Sequence, residues 1–183
     1  MQFQLDFDFN IQTDVFNFRF ERGNQDFATI KQELGHATVF MPQNFDFSLP
    51  LQQEWAKKIL VDVLRQHGKI ILHNRTVDIA QRYGFQLNRI TVKNIISCWG
   101  SCSSLKNINL SLWLMLLPSE LIDYVIKHEL THLQHLDHSP SFWVALDRMF
   151  DEPGTAKRLD KKLDALAKSK TIAWVRLFKQ KIW

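Results

Sequence analysis

The sequence predicts an α+β protein, with strands near the start of the chain and helices in most of the remainder. Over residues 1–47, apolar residues alternate with polar ones, which is the two-residue period of a half-buried strand. Further along, apolar residues recur at the three- and four-residue spacing of amphipathic helices. Four of the seven histidines in the chain fall between residues 128 and 138, within one of these helical patterns. We therefore expect that helix to carry the chemistry of the protein.

The length and composition of the chain favour one folded domain. The chain has 183 residues, of which 45% are hydrophobic and 12% aromatic, so it can bury an ordinary core. We expect a single domain over residues 1–183, made of a β-rich part (1–47), a core (48–150) and a helical extension (151–183). The extension is basic, with nine Lys or Arg against four Asp or Glu, while the net charge of the whole chain is +4.

The first twenty residues do not resemble a targeting signal. They contain Asp6, Asp8 and Asp14, and they lack a basic start and a continuous apolar stretch. No run approaches the roughly 18 apolar residues that span a bilayer, so we expect a cytoplasmic protein without a membrane partner. Cys98 and Cys102 are too few for a disulfide framework, and we expect both to be reduced thiols.

Three strands are predicted in the N-terminal part. Alternating phenylalanines indicate strands over residues 3–9 and 16–20, and residues 21–24 carry a turn signal after the second strand. A third short strand covers residues 37–41 and ends at Pro42. We expect these strands to form a β-meander that completes the core.

Helical spacing follows over residues 50–83, with a start at Pro50. Gly68 or residues 73–74 are expected to divide this segment into two helices, the second of which ends near Gly84.

Strand character returns in the middle of the chain. Apolar residues alternate over residues 90–96 and again over 108–114. We expect two strands here, joined by a loop over residues 99–104.

The histidine-rich segment contains the pattern H-E-x-x-H at His128, Glu129 and His132. On an α-helix, positions four apart share one face, so the two imidazoles can bind the same metal ion. Glu129 lies about 100° further round the helix, where its carboxylate can reach a water bound to that ion. This division of roles, two ligands and one general base on a single turn, is that of zinc-dependent hydrolases.

A catalytic zinc usually takes three protein ligands, so a third should follow. We expect the metal helix to cover residues 118–137 and a new helix to start at Ser139 and Pro140, as N-cap and first residue. His138 then lies at the bend and can fold under the first helix. His135 is the alternative on an unbroken helix, but there it would point beside the ion, and we favour His138. Imidazole ligands also suit manganese, nickel and iron.

Two more helices are predicted after the bend. Residues 140–150 carry Phe142 and Trp143 on an apolar side that should pack on the metal helix, and a third helix follows residues 151–154. The last stretch, 171–183, interleaves aromatic and basic residues. This pattern can bind nucleic acid, although it is more common in a surface helix packed on its own domain.

The motifs together resemble the YgjP-like metallopeptidase family, which is related to the SprT and WLM zinc proteases. The resemblance is carried by the H-E-x-x-H-x5-H pattern that ends at His138, by the S-P-x-F-W run from Ser139, by W-G-S-C at residues 99–102 and by N-I-N-L at residues 107–110. It is closest from about residue 95 to 150. It implies a zincin-like fold, with Zn²⁺ on His128, His132 and His138 and with Glu129 as the catalytic base.

The resulting functional expectation is a zinc-dependent metallopeptidase that acts on a peptide or protein. The resemblance also suggests that residues 107–112 lie near a sheet edge on which an extended substrate pairs. Tyr124 and His135 are near the motif in sequence, but no oxyanion-stabilising residue is assigned. One alternative is a metal-dependent nucleotide pyrophosphatase at the same site. The other is a non-enzymatic zinc module that binds nucleic acid through the basic tail.

Overall fold

The structure is a computed structural model that describes residues 4–169 and residue 175. Its strands are β1 (Asn10–Gln12), β2 (Asn17–Arg22), β3 (Thr29–Glu33), β4 (His36–Met41), β5 (Arg89–Lys93), β6 (Gly100–Cys102) and β7 (Asn107–Ser111). Its α-helices are α1 (Pro50–Arg82), α2 (Ser119–Thr131), α3 (Pro140–Asp147) and α4 (Thr155–Lys168), and a 3₁₀ helix covers Leu112–Leu116. The α+β class is therefore confirmed. No helix in the described part of the chain is both long and apolar enough to cross a bilayer.

The N-terminal sheet has the order β1-β2-β4-β3, with β2 and β4 parallel. The expected meander is therefore wrong, because β3, which was not predicted, lies outside β4. The reason is burial: the apolar side chains of β2 and β4 enter the core, whereas every residue of β3 is exposed. The strands predicted over residues 16–20 and 37–41 are confirmed as β2 and β4.

The strand predicted over residues 3–9 is wrong for its described part, residues 4–9, which have no strand pairing. Leu5 is fully buried, but its backbone N–H donates to Gln53 Oε1 and its carbonyl accepts from Gln53 Nε2. Asp6 Oδ1 accepts from the backbone N–H of Phe9 at 2.8 Å and turns the chain. A side chain of α1 thus replaces the neighbouring strand that the alternation suggested.

Helix α1 is continuous, so the predicted division at Gly68 or at residues 73–74 is wrong. A Cβ at Gly68 would lie 3.5 Å from side-chain atoms of Met115 and Val92. These are ordinary van der Waals distances. Gly68 is buried within the helix and does not end it. The start at Pro50 and the end before Gly84 are confirmed.

The second sheet has the order β5-β7-β6, with β5 parallel and β6 antiparallel to β7. Part of the loop predicted over 99–104 is strand β6, while the end of the strand predicted over 108–114 is the 3₁₀ helix. Strand β7 lies in the middle of the sheet. The expectation that residues 107–112 lie near an edge is therefore wrong, and the edge strand that packs on α2 is β6.

Helix α2 ends at Thr131, six residues earlier than predicted for the metal helix, and the chain turns at once over residues 132–134. Helix α3 also ends early, at Asp147, whose carboxylate accepts hydrogen bonds from the N–H groups of Gly154 and Ala156 at the start of α4. The third predicted helix is confirmed as α4. Buried side chains from both sheets and from α1–α4 form one core. The segment 171–183 lies outside the described residues except for residue 175, and the division into 1–47, 48–150 and 151–183 stays a prediction.

Candidate metal centre

Three histidines converge where α2 ends. His128 and His132 lie one turn apart at the end of α2, and His138 returns to them from the bend before α3. Ligand atoms of the three rings all lie within 4.8 Å of one another, and the Nε2 atoms of His128 and His138 are 3.0 Å apart. Two nitrogens bound to one tetrahedral zinc at about 2.0 Å would lie about 3.3 Å apart. The cluster therefore fits a single metal ion.

The bend that delivers His138 is built from short local contacts. Asp137 Oδ1 accepts a hydrogen bond from the backbone N–H of Ser139 at 3.2 Å, and Pro140 begins α3. Ser139 occupies the N-cap position as predicted, but its hydroxyl pairs with that of Ser141 and does not cap the helix. His135, the alternative ligand, is half-buried and lies outside the three-histidine cluster. Because α2 stops at Thr131, His135 does not share the face of the other two histidines.

Phe142 forms the floor of the cluster. Its side chain is fully buried, and its ring centroid lies 4.9 Å from that of His128 and 4.7 Å from those of His132 and His138. One aromatic side chain of α3 thus packs against all three imidazoles and restricts their rotation. The apolar side of α3 was predicted, but this shared contact was not.

The structure also fixes which nitrogen of His132 is free. Its Nδ1 lies 2.8 Å from the carbonyl oxygen of His135, and a carbonyl can only accept. Nδ1 must therefore carry the proton, which leaves the lone pair on Nε2. Such hydrogen bonds to the second ring nitrogen are usual for histidines that bind metals.

Burial keeps two of the three imidazoles, those of His128 and His132, neutral near pH 7. Burial, with the neighbouring His132 and His138, lowers the pKa of His128 to about 3. Burial also lowers the pKa of His132. A metal ion binds only the unprotonated imidazole, so near neutral pH protons do not compete with it for His128 and His132.

Glu129 lies beneath strand β6 and is 6% exposed. A Cβ at Gly100 would lie 2.7 Å from Glu129 Cγ and 2.8 Å from Oε1, so only glycine fits there. Burial raises the pKa of Glu129 to about 7, and a bound cation would lower it again. A carboxyl that titrates near neutral pH suits a group that accepts and returns a proton. Gly100 belongs to the W-G-S-C motif, but its contact with Glu129 was not predicted.

Tyr124 lies behind His128, on the side of the ring away from the cluster. Its Oη is 3.4 Å from His128 Nδ1 and donates to Asp160 Oδ1. Burial, with the Asp160 hydrogen bond, raises the pKa of Tyr124. The contact of Tyr124 with Asp160 was not predicted, and an oxyanion-stabilising residue stays unassigned.

The two cysteines do not join the cluster. Both are free, and Cys98 is exposed. Burial and then the nearby Glu129 raise the pKa of Cys102, so it stays a thiol near neutral pH. A thiol is a poor metal ligand compared with a thiolate.

Two comparisons with known proteins found similar proteins. A family model described as "YgjP-like, metallopeptidase domain" matches residues 24–165. The metallopeptidase zymogen of Pyrococcus abyssi abylysin is 21% identical and covers 52% of this chain and 93% of its own, with a TM-score of 0.46. The zymogen of Methanocaldococcus jannaschii jannalysin is 20% identical and covers 52% and 95%, with the same TM-score. A search of curated proteins found no match.

The part of the chain that matches the family model contains the candidate metal centre. It covers every strand and helix from β3 to α3, most of α4, and all three histidines of the cluster. A metallopeptidase family implies a bound metal ion and a hydrolase, and the α+β class predicted from the sequence is the class observed. The chain belongs to the YgjP-like metallopeptidase family.

Proposed function

We propose that this protein is a zinc-dependent metallopeptidase, with zinc on His128, His132 and His138 and with Glu129 as general base. The observation that carries the proposal is the convergence of three imidazoles at the end of α2, next to a buried carboxyl. Imidazole nitrogens at this spacing suit zinc, and a set of three leaves the fourth position for water.

The residues divide the reaction between them. When bound, zinc lowers the pKa of its water to about 7 and polarises the substrate carbonyl. Glu129 accepts the proton that this water loses and passes it to the leaving amine. The hydrogen bond from His132 to the His135 carbonyl and the ring of Phe142 hold the imidazoles in place during these transfers.

The substrate in this proposal is an extended peptide or protein segment. Among the described residues, β6 pairs with a strand on one side only and passes directly over Glu129. An extended peptide can add to such an edge through main-chain hydrogen bonds. The free edge of β6, rather than β7, is therefore where we expect the scissile bond to be presented.

The first test compares four proteins: wild type, Glu129→Gln, His132→Ala and His135→Ala. Zinc content is measured by elemental analysis, and cleavage is measured on a diverse peptide pool and on an unfolded protein. We expect Glu129→Gln to keep one zinc and to lose at least about 100-fold in turnover, because proton transfer is removed. His132→Ala should lose the metal. His135→Ala is the matched control and should keep both metal and cleavage, because it lies outside the cluster and only its backbone carbonyl contacts His132.

Three results would contradict the proposal. If wild type binds no metal, the ligand set is wrong. If Glu129→Gln cleaves as fast as wild type, the base is wrong. If zinc is bound but no peptide is cleaved, the peptidase assignment is wrong, and nucleotide phosphoanhydrides and nucleic acid become the ligands to test.

A further inference from the structure

A hydrogen-bonded chain connects the metal helix to α4. Tyr124 lies on α2 one turn before His128 and is 1% exposed. Its hydroxyl donates to Asp160 Oδ1 at 2.7 Å, and its oxygen lies 3.4 Å from His128 Nδ1. Asp160 is on α4, far along the chain from the histidine motif. The three side chains therefore run in a line from α4 to the back of the cluster.

The proton positions on Tyr124 and His128 follow from the number of donors and acceptors that each side chain offers. A tyrosine hydroxyl has one proton, and the Asp160 carboxylate can only accept, so that proton points to Asp160. The lone pairs of the Tyr124 oxygen then face His128 Nδ1. Nδ1 must carry a proton, and the lone pair of His128 is left on Nε2, the atom that faces His138 at 3.0 Å.

Packing and an ion pair hold α4 against the rest of the protein. Leu159 and Leu163 flank Asp160 on this helix and are buried. Lys162 forms an ion pair with Glu120 at the start of α2, which joins the two helices a second time. Asp160 is thus held against Tyr124 by the packing of a whole helix.

We infer that Asp160 and Tyr124 are positioning residues for His128, and that α4 is in this way a part of the metal site. The hydrogen bonds from Asp160 through Tyr124 select the tautomer and the ring orientation with which His128 binds the metal. In His132 the tautomer is set by a local hydrogen bond, which Nδ1 donates to the backbone carbonyl of His135. For His128 the acceptor comes from another helix, through a tyrosine. The inference rests on the proposed role of His128 as a metal ligand.

The test measures metal binding directly and does not depend on activity. The variants are Tyr124→Phe, which keeps the ring and removes the hydroxyl, Asp160→Ala and Asp160→Asn. The matched control is Asp164→Asn: this exposed carboxylate lies one turn beyond Asp160 on α4 and acts on Tyr124 through its charge, but it does not accept the tyrosine hydrogen bond. Zinc affinity is measured by competition with a chelator, the cobalt-substituted proteins are compared by visible absorption, and thermal unfolding of the metal-free proteins reports on the fold alone.

We expect Tyr124→Phe and Asp160→Ala to bind zinc about 10- to 100-fold more weakly, the usual effect of removing such an outer hydrogen bond, and to alter the cobalt spectrum. Asp160→Asn keeps an acceptor oxygen and should recover most of the affinity lost in Asp160→Ala. The double variant Tyr124→Phe/Asp160→Ala should bind no more weakly than Tyr124→Phe alone, because Asp160 acts through Tyr124. Asp164→Asn should match wild type.

The inference is wrong if Tyr124→Phe binds zinc as tightly as wild type with an unchanged cobalt spectrum. It is also wrong if Asp160→Ala weakens binding equally with and without the Tyr124 hydroxyl, or if the variants change only the thermal unfolding of the metal-free protein. All three results leave zinc binding by wild type intact, so the proposed function would survive them. Failure of wild type to bind zinc would instead overturn both.

Discussion

At the scale of single residues, the position of the candidate base Glu129 depends on Gly100, which has no side chain. Strand β6 passes so close to Glu129 that a Cβ at Gly100 would lie 2.7 Å from its Cγ and 2.9 Å from its Cδ. Such distances are far inside van der Waals contact. Burial raises the pKa of Glu129, and the close approach of β6 that contributes to this burial is possible because residue 100 is glycine.

We expect Gly100→Ala to reduce turnover while leaving the metal bound. The added methyl group must displace the Glu129 carboxyl, and a misplacement of about 1 Å in a catalytic group can cost about 100-fold in rate. The atoms nearest to the added methyl group all belong to Glu129, so the three histidines should keep the ion. Cleavage rate and zinc content are measured together, with Ser101→Ala on the same strand as the control. A fully active Gly100→Ala protein would show that the carboxyl need not lie where the structure has it.

The sequence predicted the local part of the site and missed the rest. His128, Glu129 and His132 follow from the periodicity of one helix, and the bend at Ser139 and Pro140 indicated His138. The contacts of Gly100 and Asp160 join elements that are distant in the chain, and no local pattern reports them. They arise from the packing of β6 and α4 on α2.

At the scale of elements, the metal helix depends on a cap from a remote loop. Pro118 occupies the N-cap position of α2 and has no side-chain acceptor to offer. Asp14 supplies one, because its Oδ2 accepts from the backbone N–H of Ser119 at 2.9 Å. This hydrogen bond is the main reason that the pKa of Asp14 is lowered. The N-terminal part of the chain thus stabilises the helix that carries two of the three histidines.

We expect Asp14→Ala to destabilise the fold by about 1 kcal/mol or less. Loss of a helix cap typically costs about 0.5–2 kcal/mol, and the exposure of Asp14 places the effect at the lower end. Asp14→Asn keeps an acceptor and should lose less. The free energy of unfolding is measured with urea, with Asp8→Ala, an exposed aspartate of the preceding segment, as the control. Equal stability of Asp14→Ala and wild type would mean that the cap is not needed.

Strands and helices were predicted correctly where the apolar spacing and the backbone hydrogen bonds indicate the same structure. They were predicted wrongly where the two indicate different structures. Alternation over residues 4–9 reports burial correctly, since Leu5 is in the core, but the backbone partner there is Gln53. Residues 112–116 are buried all round, so no period distinguishes a strand from the 3₁₀ helix that they form. In α1, Gly68 is a buried residue of a continuous helix, so the weak helix propensity of one glycine did not decide the local structure.

At the scale of the whole molecule, His67 joins the N-terminal sheet to the long helix. It lies on α1 and is 5% exposed. Its Nδ1 accepts from the backbone N–H of Gly35 at 3.1 Å, and its Nε2 lies 3.2 Å from Gln32 Oε1, which it can reach only as a donor. Both contacts together require the neutral ring, and burial lowers the pKa of His67.

This arrangement predicts that the fold loses stability in mild acid. The folded pKa of His67 lies below its unfolded value of about 6.5, so between the two values the unfolded chain binds more protons. The contribution of His67 to stability is complete above about pH 6.5 and falls as the pH drops below it. We expect His67→Asn, which keeps an acceptor for Gly35, to be less stable at pH 7.5 but to lose less stability than wild type between pH 7 and pH 5.

The measurement is the free energy of unfolding of the metal-free protein at several pH values, so that zinc release does not add to the slope. His73→Asn, on the exposed side of the same helix, is the control and should keep the slope of wild type. The buried histidines of the cluster contribute equally to all three proteins and cancel in the comparison. If His67→Asn and wild type lose stability in parallel, then protonation of His67 does not separate the sheet from the helix in acid.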